Sequence, residues 1–97
     1  MSSVKQLLFL LISMTDYFTQ GNQLLEAGQI RKAIISFQKA IEFNPTSPWP
    51  YYHLGLALDK DGQLEGAVSE FGRAIALYPD LIWAHHYLGE TWLNWVG

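Results

Sequence analysis

His86 and Glu90 stand one helical turn apart, the closest approach to a reactive pairing anywhere in this 97-residue chain. On a helix they could form a two-ligand metal pair with His53 as a third member. Adjacent His85 cannot join them, because neighbouring helical side chains diverge by about 100°. Pairs at this spacing arise often by chance, so no metal site is expected. The absence of cysteine removes disulfides, thiolate zinc sites and cysteine nucleophiles together. No serine sits on a strand-to-helix elbow, and Gly21, Gly28, Gly55 and Gly62 are not spaced as a phosphate-cradling loop. Catalytic residues and cofactors are therefore expected to be absent, and the chain reads as a non-enzyme.

Composition points the same way. Apolar residues make up 49% and charged residues only 15%, too hydrophobic for a disordered chain. The net charge of −3, with lysines and arginines scattered, offers no grip for nucleic acid. A chain this short has a marginal core, so regular helix packing or a partner surface must contribute.

The elements that must position these residues follow from an internal repeat. Shifting the chain by 34 residues aligns Tyr17 with Tyr51, Gly21 with Gly55, Leu24 with Leu58, Gly28 with Gly62 and Gln29 with Gln63. It also aligns Ala33 with Ala67, Phe37 with Phe71, Ala40 with Ala74, Ile41 with Ile75 and Pro45 with Pro79. A third unit opens with Leu88, Gly89 and Trp92 in register and does not finish. Such a period marks stacked supersecondary units.

Each unit reads as two helices. The first, near residues 15–27, ends at Gly28, which takes the left-handed conformation cheaply. The second carries Ile30, Ala33, Ile34, Phe37, Ala40 and Ile41 on one stripe and is stopped by Pro45. Gly21, Gly55, Ala33 and Ala67 let paired backbones approach. Ser47 is expected to cap the next helix ahead of Pro48 and Pro50, and Asp80 the one after.

With small residues at fixed offsets, a late aromatic and a terminal proline, the pattern resembles the tetratricopeptide repeat. The resemblance implies an all-α solenoid of antiparallel helix pairs: repeats at 14–47 and 48–81 and a partial one at 82–97, after an apolar segment at 1–13. Gln20 and His85 depart from the family pattern, and Gly66 and Gly72 each weaken a helix by about 1 kcal/mol relative to Ala.

The resemblance further implies that the first helices of successive repeats line a concave groove for a partner peptide or helix. Carried over, the groove receives Phe18, Asn22, Leu25, Trp49, Tyr52, Leu56, Asp59, Trp83, His86 and Glu90. Its aromatic side chains are the kind that anchor interfaces. Docking of acidic chaperone tails is disfavoured: of the clamp positions only Asn22 is matched, and Glu90 stands where a base is needed.

The run Leu7 to Ile12 resembles the apolar core of an export signal but lacks a cleavage site, and it is too short to span a bilayer. A short helix capping the domain or occupying the groove is expected there, with Met14 an alternative start. The last helix bears Trp83, Tyr87, Trp92, Trp95 and Val96 with no following helix to cover them, which implies self-association or a longer array. The function expected is a cytoplasmic protein-interaction module or scaffold. Alternatives are an interaction segment of a larger enzyme such as a transferase, or an exported or membrane-anchored assembly protein.

Overall fold

Gly28 and Gly62 adopt φ of 79° and 83°, and each ends a helix in the same way. The amides of Gly28 and Gln29 donate to the carbonyls of Leu25 and Leu24, and those of Gly62 and Gln63 donate to Asp59 and Leu58. This pair of bonds satisfies carbonyls that the helix end leaves orphaned. The computed structural model describes residues 2–97, with side-chain surroundings for residues 3–9 and 16–97. Within that range five helices follow one another: α1 (Ser2–Glu26), α2 (Ile30–Phe43), α3 (Pro48–Lys60), α4 (Leu64–Leu77) and α5 (Ile82–Val96). They stack as an elongated array of 54 × 29 × 17 Å.

The core repeats with the sequence. Ala33, Phe37 and Ala40 on α2, and Ala67, Phe71 and Ala74 on α4, are completely buried. Burying a phenylalanine contributes about 1.5–3 kcal/mol, so the two rings are principal anchors of a small core. The glycines opposite them serve this contact. A β-carbon at Gly21 would lie 2.5 Å from Phe37 Cε1. The space released by glycine is thus taken by an aromatic ring, a more specific use than backbone approach alone.

Three sequence expectations need correction. The separate short helix expected near the N-terminus is the first part of α1, which runs unbroken through the boundary placed at residues 13 and 14. It therefore does not fold back into the groove, and Val4, Leu7, Leu8 and Phe9 are exposed. The side chains of Leu10, Leu11, Ile12 and Met14 lie outside the described residues. Ser47 occupies the N-cap of α3, but its side chain makes no capping hydrogen bond. The turn before α3 is tied by Asn44, whose Oδ1 accepts hydrogen bonds from the amide and hydroxyl of Thr46. Asp80 caps nothing; the N-cap of α5 is Leu81.

Among the described residues no helix is long and apolar enough to cross a membrane.

Candidate functional site

The first helices meet through triads of rings. Phe18 on α1, Phe37 on α2 and His53 on α3 converge, with Phe18 to His53 at 5.0 Å and His53 stacked on Phe37 at 5.8 Å. One repeat later Tyr52, Phe71 and Tyr87 form the same figure, with Tyr52 to Tyr87 at 6.1 Å and Tyr87 stacked on Phe71 at 6.2 Å. His53 and Tyr87 are 34 residues apart, so the imidazole occupies a place built for an aromatic ring. Burial in this apolar setting pushes its pKa below the ordinary histidine value. Burial, and secondarily Tyr87, raises the Tyr52 phenol.

Beside these triads α1, α3 and α5 enclose a concavity of about 360 Å³. Asn22, Leu25 and Glu26 supply one wall, His53, Leu56, Asp59 and Lys60 the floor, and Tyr87 the far side. Leucines and rings give apolar contact, while Asn22, Glu26, Asp59 and Lys60 provide polar groups that can fix a ligand's register. The larger recess of about 650 Å³ is open and lined by Gly62 and Gln63 of the turn, the first turns of α4 and Trp95 of α5. It brings no set of convergent polar side chains together, so the concavity is the better candidate.

Of the residues expected in the groove, the structure gathers Asn22, Leu25, Leu56 and Asp59 in the concavity. Phe18 is half-buried in its triad. Tyr52 is buried in the core rather than presented to a ligand. Trp49 is exposed and meets Tyr52 edge-on at 6.5 Å. Trp83, His86 and Glu90 are also exposed, outside the concavity's lining. The Trp83 ring lies edge-on to His86 at 6.2 Å, and His86 Nε2 is 3.4 Å from Glu90 Oε1. Glu26, His53, Lys60 and Tyr87 are lining residues that the repeat pattern did not single out. His53 and Tyr87 share a repeat position, each one residue after an expected groove residue that shares one equally, so the repeat alone did not separate the two lines.

The histidines have structural surroundings. His85 Nε2 donates to the Pro79 carbonyl at 2.8 Å, in the manner of the Tyr51 hydroxyl and the Pro45 carbonyl at the same distance. Among the described residues no group of three potential ligands is placed to hold a metal ion.

Family profiles match the two units: one described as TPR repeat at residues 21–62, and one described as tetratricopeptide repeat at residues 51–81. The chain belongs to the tetratricopeptide repeat family. Among solved structures, this tetratricopeptide repeat chain is similar to MamA, with TM-score 0.82 and 26% identity over 84% of this chain and 47% of that one. MamA from Desulfovibrio magneticus RS-1 gives TM-score 0.80 and 30% identity, over 84% and 46%. A chain of the CopN-Scc3 complex, at TM-score 0.80 and 20% identity over 84% and 48%, shows the same fold. The chain thus spans just under half the length of these neighbours. No curated protein sequence matches it significantly. The fold is that of a protein-interaction module, an all-α tetratricopeptide repeat solenoid.

Proposed function

We propose that the concave face of α1, α3 and α5 holds a partner peptide or helix, and that the chain acts as a non-catalytic scaffold. The observation that carries this reading is the concavity in which Leu25, Leu56 and Tyr87 meet Asn22, Glu26, Asp59 and Lys60. A lining that mixes apolar side chains with polar ones suits a segment that presents alternating apolar and polar side chains. Trp49 and Trp83, exposed on the same helices α3 and α5, offer further contact area.

Capture of native partners by the purified chain tests the reading. Leu25→Glu and Leu56→Glu place a charge in the apolar part of the lining and are expected to abolish capture while the helical circular dichroism persists. Trp49→Ala and Trp83→Ala are expected to weaken it. Unchanged capture by all four folded variants would overturn the reading. The C-terminal helix offers another face, away from this concavity, for association of the chain with itself.

A further inference from the structure

We infer that the occupant of the concavity is a cationic amphipathic peptide segment, its lysine or arginine side chains reaching Glu26 and Asp59 while its apolar ones lie on Leu25 and Leu56. The inference rests on the reading of the concavity as a partner groove and adds the partner's chemistry.

Charge is divided between the two sets of helices. Arg31, Lys32 and Lys39 stand on α2 and Arg73 on α4, so most of the six basic residues belong to the second helices. Lys5 lies near the start of α1, and Lys60 is the one base in the lining. Against it the lining sets two carboxylates, Glu26 and Asp59. On α5 Glu90 takes the repeat position that Asn22 and Leu56 hold in the lining, which adds a further acid to the first helices. His53 also lines the concavity, but burial lowers its pKa, so at neutral pH it brings no competing positive charge.

The lining carboxylates are available to a partner. Among the described residues the ion pairs join Arg31 to Asp61, Arg73 to Glu70 and His86 to Glu90. Glu26 and Asp59 are in none of them, although Lys60 shares their concavity. Lys60 is exposed at the end of α3 and can turn its long side chain to solvent. Each carboxylate also has an apolar neighbour on its own helix: Leu25 precedes Glu26 on α1, and Leu56 lies one turn before Asp59 on α3. A lysine or arginine fits that pairing, with its aliphatic stem on leucine and its charged head at the acid.

Short synthetic peptides alike in their leucines, and differing only in whether their polar positions hold lysine, glutamine or glutamate, test this by calorimetric titration into the full chain. At low salt the lysine peptide is expected to bind about tenfold more tightly than the glutamine peptide, and the glutamate peptide most weakly, with the lysine advantage shrinking as salt rises. Asp59→Asn and Glu26→Gln are each expected to weaken the lysine peptide about two- to five-fold and to leave the glutamine peptide unchanged. Lys60→Gln should strengthen the lysine peptide. Asp80→Asn makes the same change in net charge on the turn before α5 and should have no effect. If it weakens binding as much as Asp59→Asn does, the attraction is to net charge and the inference is overturned. A glutamine peptide that binds as tightly as the lysine one, and is lost with Leu56→Glu, would keep the groove and overturn its cationic occupant. Tighter binding of the glutamate peptide would overturn it in favour of an anionic segment drawn to Lys60. Binding of none of the three would also overturn it, and capture of native partners that still depends on Leu25 and Leu56 would then leave the groove itself standing.

Discussion

A β-carbon at Gly55 would lie 2.6 Å from Cε1 of Phe71 and 2.7 Å from its Cδ1, so glycine and ring are matched parts of one contact. Phe71 is completely buried and has no room to retreat. Gly55→Ala is expected to cost about 1–3 kcal/mol, the usual penalty of overpacking. Gly72, in the same repeat, lies on the exposed side of α4, where an added β-carbon would have nothing within 4 Å. There Gly72→Ala is expected to stabilise by about 1 kcal/mol through helix propensity alone. Thermal melts of the two variants should move in opposite directions.

The turn between units is pinned by a second matched contact. The Tyr51 hydroxyl donates to the Pro45 carbonyl at 2.8 Å. Tyr51→Phe keeps the ring and leaves that carbonyl without its partner. A loss of about 1 kcal/mol in urea unfolding is expected. His85→Phe removes the corresponding bond to Pro79 and should also destabilise, which would show that the imidazole substitutes for a tyrosine in the third unit.

The solenoid was legible because glycine, alanine and phenylalanine recur at positions where one backbone must meet one ring. Helix rotation was less legible. Tyr52 and His53, and again His86 and Tyr87, place apolar or aromatic rings at adjacent positions that differ by about 100° around the axis. Pattern alone cannot choose which of each pair faces inward. Packing chooses: Tyr52 lies against Phe71 and Tyr87 and enters the core, while His53 and Tyr87 reach the concavity. The groove floor is consequently rotated by about one residue from its expected line, towards Glu26 and Lys60. Caps failed for a different reason. Ser47 and Asp80 have suitable side chains, but Asn44 fastens the turn before α3, and α5 begins one residue beyond Asp80's reach, with Leu81 at its N-cap.

Glu70 holds an electrostatic liability. It stands where the first repeat has Ser36, with Oε2 buried and lacking a hydrogen-bond partner, and Arg73 is only 3.6 Å from Oε1. Burial raises its pKa, and Arg73 offsets this in part. In the unfolded chain the carboxyl ionises at its ordinary value, so as pH rises through that value the unfolded state loses its proton first and gains stability relative to the fold. The penalty is absent at low pH and complete above the raised folded pKa. Glu70→Gln is expected to raise the melting temperature at neutral pH and to lose that advantage in acid.

His53 produces the opposite dependence. Its ring lies against Phe18, Phe37 and Tyr52, and burial lowers its pKa. In the unfolded chain it takes up a proton near the ordinary histidine value of about 6.5. The folded chain resists that proton until lower pH, so acid favours unfolding. The contribution is fully present above the ordinary value and shrinks as pH falls towards the depressed one. His53→Tyr supplies the ring that Tyr87 places at the same repeat position and removes the titration. Because Glu70 titrates in the opposite sense, the informative quantity is the difference in unfolding free energy between wild type and variant at each pH. That difference is expected to move in the variant's favour from neutral pH down to about pH 5. A difference that stays constant over this range would show that protonating His53 costs the folded chain nothing.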